Sequence, residues 1–171
     1  MSRLLICCFG ALWLFSACKP DPCKDTVCEN GGTCLDGACQ CPEGFRGISC
    51  ETFDLEAYLG EFAAEYSGCF TTSPGHRVML EAVPGSGNRI SLAGLGDYAC
   101  PGGELRPEAT LNGTQLALPR QAISCGSIAY TFEGSGSFDG ISRLTLSFEV
   151  SYDVGGFTQT DRCSAVLERV Q

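Results

Sequence analysis

The sequence predicts an all-β chain in two parts: a small disulfide-rich module, followed by an antiparallel up-and-down β-barrel of about eight strands. Three observations predict it. Six cysteines fall between Cys23 and Cys50, too closely spaced for a hydrophobic core to explain them. Further along, apolar and polar residues alternate with a period of two. Clusters of Gly, Asn and Asp interrupt that alternation at short intervals, as turns between strands would.

The chain begins with one early positive charge, Arg3, then the apolar run LLICCFGALWLF, then Ser16 and Ala17. This pattern reads as a signal peptide over residues 1–17. The run is too short to cross a hydrocarbon layer of ~30 Å as a helix. Leu14-Phe15-Ser16-Ala17-Cys18 resembles the lipobox of bacterial lipoproteins, with Phe15 where Leu is usual. The resemblance implies a diacylglyceryl thioether on Cys18 as the new N-terminus, and hence an exported protein of the cell envelope, lipid-anchored to a bacterial outer membrane. If an ordinary peptidase cuts after Ala17 instead, Cys18 is a free thiol or a disulfide partner. Residues 18–22 then form the lipidated cysteine and a short stalk stiffened by Pro20 and Pro22.

Cysteine counting supports export. The 171 residues contain 13 cysteines, and setting aside Cys7, Cys8 and Cys18 leaves an even set that can pair completely. Such a set belongs to an oxidising compartment. The formal charge is −9, with no Lys/Arg stripe, which excludes nucleic acid as a partner.

The module spans residues 19–51. Its cysteines, Cys23, Cys28, Cys34, Cys39, Cys41 and Cys50, are spaced C-x4-C-x5-C-x4-C-x-C-x8-C. Asn30-Gly31-Gly32 and Asp36-Gly37 supply positive-φ turn positions for two small hairpins. Six cysteines allow fifteen connectivities, all open from spacing alone. The run from Cys39 through Cys41, Gly44, Phe45, Gly47 and Cys50, with Asn30-Gly31-Gly32-Thr33-Cys34 before it, resembles an EGF-like domain. The resemblance implies Cys23 with Cys34, Cys28 with Cys39 and Cys41 with Cys50, and a role as spacer or contact surface. Zinc is disfavoured because paired C-x2-C knuckles are absent. Calcium is disfavoured because the segment before Cys23 offers one carboxylate, Asp21, between prolines. No metal or cofactor is expected.

Residues 52–171 are expected to form the barrel domain. Leu55, Tyr58, Leu59 and Phe62 recur at helical spacing and predict one short helical turn. Strands are then expected near 61–70, 76–83, 88–95, 104–111, 114–119, 127–135, 142–152 and 161–169. They are separated by turns at Pro84 to Asn88, Asn112-Gly113, Gly134-Ser135-Gly136, Asp139-Gly140 and Gly155-Gly156. If the barrel closes, its first and last strands are neighbours, which sets Cys69 beside Cys163 and leaves Cys100 for Cys125. Leu59-Gly60-Glu61-Phe62 after a short helix resembles the opening of lipocalin-like barrels, with Phe62 where that family has Trp. That resemblance implies an interior site for a small apolar ligand. The alternative is that Phe, Tyr, Leu and Ile side chains simply fill a small barrel.

A catalytic constellation is not evident. The sequence contains one histidine, His76, in a turn where a solvent-facing side chain is expected. No Gly-x-Ser-x-Gly elbow surrounds a serine. Glu133 and Asp139 are a nominal carboxylate pair, and Arg143, Arg162 and Arg169 read as strand-face residues. The sequence therefore points to a non-enzymatic surface lipoprotein, attached to a membrane by its lipid and binding a protein or glycan partner. A barrel carrying a small apolar ligand is the alternative, and a hydrolase using His76 a third.

Overall fold

The computed structural model describes residues 21–69, 73 and 75–170. The expected signal peptide, Cys18, Lys19 and Pro20 lie outside the described residues. Asp21 and Pro22, within the expected module span of 19–51, are tied to it: Asp21 Oδ1 accepts the Cys23 N–H at 2.9 Å, and Pro22 lies against Gly37.

Covalent bonds hold the first part. β1 (Thr33–Leu35) and β2 (Ala38–Gln40) form a hairpin. Its turn residues Asp36 and Gly37 have φ of 51° and 86°, the positive values that a tight two-residue turn demands. Disulfides join Cys23 to Cys34, Cys28 to Cys39 and Cys41 to Cys50, over separations of 11, 11 and 9 residues. Each such bond contributes ~2–4 kcal/mol. β3 (Phe45–Arg46) pairs with β4 (Thr52–Phe53). The boundary expected between residues 51 and 52 therefore falls inside a hairpin.

A 3₁₀ turn over Leu55–Tyr58 leads into the barrel. The strands are β5 (Gly60–Ser67), β6 (Arg77–Ala82), β7 (Arg89–Ala93), β8 (Glu108–Asn112), β9 (Gln115–Cys125), β10 (Ile128–Asp139), β11 (Arg143–Val154) and β12 (Phe157–Arg169). Each pairs antiparallel with the next, and β12 returns to β5 to close the barrel. The period-two alternation dictates this, since alternate residues face one side of a strand. Phe62, Val78, Leu80, Ile90, Leu92, Leu111, Leu116, Leu118, Phe132, Leu144, Leu146, Val150 and Leu167 are all at most 2% exposed and belong to one continuous core.

Two strand expectations need correction. Gly134-Ser135-Gly136 lies inside β10 and not in a turn. A Cβ on Gly134 would strike Phe148, and one on Gly136 would crowd Leu146, so these glycines let neighbouring inward side chains fill the barrel. β9 continues to Cys125 instead of ending at Pro119. Its pairing with β8 stops at Thr110↔Ala117, so the missing proline N–H breaks no ladder bond there. A register shift against β10 follows between Phe132 and Gly134. There the Gln121 side chain bridges to β8, accepting the Glu108 N–H at 2.8 Å and donating to the Glu108 carbonyl at 2.7 Å.

The barrel has two unlike ends. The lower end carries the start of β5, the β6–β7, β8–β9 and β10–β11 turns, and the cysteine module. At the upper end are the long β5–β6 and β7–β8 connections. β9 to β12 also rise above their neighbours there, being 11 to 13 residues long against 5 to 8 for β5 to β8.

Candidate functional site

The upper end is built on the tall wall of β9 to β12. Cross-strand partners share a face, and the pairs Tyr130↔Ile123, Tyr130↔Tyr152 and Val154↔Phe157 set an apolar row on the inner face. The β7–β8 connection lies against the lower part of this row. Its Tyr98 ring sits 5.6 Å from Tyr130 and 5.7 Å from Tyr152. The Tyr98 hydroxyl donates to Asp161 Oδ2 at 2.7 Å, and Tyr130 donates to the Ala99 carbonyl at 3.1 Å. Asp161 is 4% exposed. Burial pushes the Tyr98 pKa well above the ordinary tyrosine value, and the Asp161 hydrogen bond and charge raise it further. The hydroxyl thus stays a donor across the physiological range.

Disulfides fix both long connections to this wall. Cys69 bonds Cys163 on β12, and Cys100 bonds Cys125 at the end of β9. His76 links the two connections to each other: Nδ1 faces Asp97 Oδ1 at 3.1 Å, and Nε2 faces the Gly94 carbonyl at 2.6 Å. The Ser73 N–H also donates to Asp97 Oδ2 at 2.9 Å. His76 is therefore largely buried, contrary to the solvent-facing expectation, because the two loops close over it. Beyond this braced layer the row continues into solvent, with Val154 52% and Phe157 74% exposed.

The lower end is closed by stacked rings. Phe45 of the module packs edge-on to Phe53, Phe53 stacks on Tyr58, Tyr58 meets Phe138, and Phe138 meets Phe62, with centroids 4.8 to 6.2 Å apart. A Cβ on Gly44 would collide with the Tyr58 ring and hydroxyl, so only glycine permits this approach at φ 81°. Arg169 is not the strand-face residue expected. It turns inward over Phe62, 4.9 Å from the ring centroid, and donates to the Ala57, Leu59 and Ile141 carbonyls.

The remaining candidates are dispersed. Glu133 and Asp139 lie six residues apart on β10, about 20 Å at ~3.3 Å per residue. Glu133 faces Arg120 at 3.4 Å. Arg143 faces Glu168 at 3.9 Å and Arg162 faces Glu149 at 3.1 Å, all exposed. A surface concavity of about 450 Å³ beneath the barrel is lined by Glu43, Asp139, Arg143 and Glu168 among others. Among the described residues no group of three or more His, Cys, Asp or Glu could hold a metal ion. Sequence reasoning missed Asp161, Tyr98 and the ring stack. The first had a signal, since Asp161 shares the inward parity of Cys163, Ala165 and Leu167.

The module's three bonds and hairpins now bear on its family. The EGF-like domain model matches residues 18–49. Residues 18–49 are an EGF-like domain. Among curated relatives, the chain is 48% identical over 40 residues to EGF-like repeat and discoidin I-like domain-containing protein 3 of Mus musculus, covering 20% of this chain and 8% of that protein. It is 46% identical over 52 residues to lactadherin of Mus musculus, 28% of this chain and 10% of that one. Similarity to vasorin of Homo sapiens is 49% over 39 residues, 20% and 6% respectively. This chain thus spans a tenth or less of each of these relatives. No solved structure matches it. A disulfide-rich EGF-like domain marks an exported or extracellular protein.

Proposed function

We propose that this chain is a bacterial surface lipoprotein, anchored through Cys18, that acts by binding and not by catalysis. Its EGF-like domain is the base on which the barrel stands, and the upper end of the barrel is the binding face. The observation that carries this reading is the contrast at that end: two connections braced by disulfides, and above them Val154 and Phe157 left open to solvent. Exposed aromatic and aliphatic groups on a rigid support suit a protein or glycan partner. The curated relatives that share the EGF-like domain support an interaction role.

Several features speak against the other readings. The barrel interior is occupied by a continuous core, which disfavours a carrier of an apolar ligand. Both nitrogens of His76 face loop acceptors, leaving neither for a nucleophile. Two measurements test the proposal. Mass spectrometry of the mature N-terminus should find an acylated Cys18, and C18S should release the chain from the membrane fraction; an unmodified, membrane-free wild type sinks the anchor. Arrays of extracellular proteins and glycans should show binding that Phe157→Ser abolishes. Binding that survives Phe157→Ser moves the contact surface to the EGF-like domain.

A further inference from the structure

His76 stands in a place that a neutral histidine cannot fill without conflict. Its Nδ1 lies 3.1 Å from Asp97 Oδ1, and its Nε2 lies 2.6 Å from the Gly94 carbonyl oxygen. Both partners are acceptors. A neutral imidazole carries one N–H and one bare lone pair, whereas the imidazolium carries two N–H donors. With a proton on Nε2 alone, the Nδ1 lone pair faces a carboxylate. With a proton on Nδ1 alone, the Nε2 lone pair faces a carbonyl oxygen. Only the doubly protonated ring donates to both, and its bond to Asp97 is then charge-assisted.

The other ionisable groups beside the ring are few. Tyr66 on β5 has its ring centroid 6.1 Å from that of His76, and burial raises its pKa to about 12, so its hydroxyl is neutral here. Glu104, in the β7–β8 connection, approaches Gly94 beside Nε2, since a Cβ on Gly94 would meet both; its carboxylate is paired with Arg106 at 3.2 Å. On β6, Arg77 faces Glu61 at 3.3 Å. Residues 70–72 and 74 are Phe, Thr, Thr and Pro, with no ionisable side chain.

This contact lies where the two long connections of the upper end meet, and they are not held equally. The β7–β8 connection is rooted in the core by buried Leu95 and Tyr98, and its Gly96 N–H donates to the Tyr66 hydroxyl at 3.0 Å. Among the described residues, the bonds tying the β5–β6 connection to it come from His76 and from the Ser73 N–H, which donates to the same Asp97 carboxylate at 2.9 Å. Asp97 has φ of 56°, a left-handed conformation that a non-glycine residue keeps while its contacts fix it. We infer that His76 is a proton-operated latch: its imidazolium ties the β5–β6 connection to the β7–β8 connection, and loss of one ring proton releases it. Both contacts need the second proton, so they are whole at acid pH and are lost as pH rises through the ring's titration. Histidine side chains change charge in the range of about pH 5 to 8, and this one is 19% exposed, which gives protons access.

The test uses the full chain with no partner added. Nitrogen chemical shifts of the labelled imidazole report its protons, and exchange of the Ser73 amide, corrected for the intrinsic pH dependence of exchange, reports the latch. Both ring nitrogens should carry protons at the acid end, and Ser73 protection should fall roughly tenfold or more as the ring loses one. Asp97→Asn offers an amide N–H to a neutral ring nitrogen while keeping an oxygen for the Ser73 N–H, and should make that protection nearly independent of pH. A ring that is a single neutral tautomer throughout about pH 5 to 8, Ser73 protection that does not follow the ring's titration, or an Asp97→Asn chain with the wild-type pH profile overturns the inference.

Discussion

Tyr58 and Tyr98 stand at opposite ends of the same barrel and are both buried, yet their hydroxyls are treated differently. At the upper end Tyr98 donates to Asp161. At the lower end the Tyr58 hydroxyl is enclosed with no hydrogen-bond partner among the described residues. The lower end is thus closed by ring packing that, beside the Arg169 bonds, tolerates an unsatisfied group, and the upper end by a tyrosine cluster secured with directed bonds and disulfides. The difference teaches where precision is needed: rings hold the EGF-like domain in place, while hydrogen bonds and bridges fix the shape of the exposed end.

The largest effect that would break this comparison lies at the upper end. Replacing Cys69 and Cys163 by serine opens a loop of 94 residues, and chain entropy assigns ~4–5 kcal/mol to such a closure. Denaturant unfolding should show that loss. Amide exchange at Gly60 to Phe62 should stay slow under native conditions, and if it becomes fast the two ends are not separately secured.

Much of this architecture is readable from sequence because it rests on local rules. The alternation in Leu144 to Val150 fixes inward faces, and the Asp36-Gly37 and Gly155-Gly156 pairs fix hairpins. What could not be read depends on groups far apart in the chain. Tyr98 meets Asp161 only after the β7–β8 connection folds over β12, and Phe45 meets Phe53 and Tyr58 only once β3 pairs with β4. His76 looked exposed because a turn position says nothing about a second loop covering it. Arg169 looked like a surface residue for the opposite reason: a cation is expected outside unless carbonyl acceptors await it, and Ala57, Leu59 and Ile141 come from separate segments.

Tyr98→Phe sharpens the comparison with a smaller effect. It deprives buried Asp161 of a donor and should cost ~1.5–3 kcal/mol, the range for hydrogen bonds to charged groups, seen as a lower midpoint in urea. Alkaline titration reads the same end. Burial raises Tyr66 to about 12, although the Gly96 N–H bonded to its hydroxyl opposes the shift. A folded-state value above the unfolded one near 10 means that this stability is whole below pH 10 and declines between pH 10 and 12. Tyr66→Phe should flatten that decline in melting temperature; an unchanged decline assigns it elsewhere. The smallest effect belongs to Tyr58→Phe. Deleting a hydroxyl with no partner should leave stability unchanged within ~0.5 kcal/mol or raise it, and a loss of more than ~1 kcal/mol would mean that the hydroxyl has a partner after all.

The return of β12 to β5 also sets an order of events. All three bonds of the EGF-like domain close within 28 residues of chain, from Cys23 to Cys50, whereas Phe62↔Arg169 joins strands about a hundred residues apart. Short closures form early, and distant pairings wait on the entropy of the chain between them. A chain emerging from an export channel N-terminus first would therefore close these bonds while β5 still lacks its β12 neighbour. Until β12 arrives, β5 is an open edge, and that interval is when the protein is most exposed to aggregation and most in need of a chaperone.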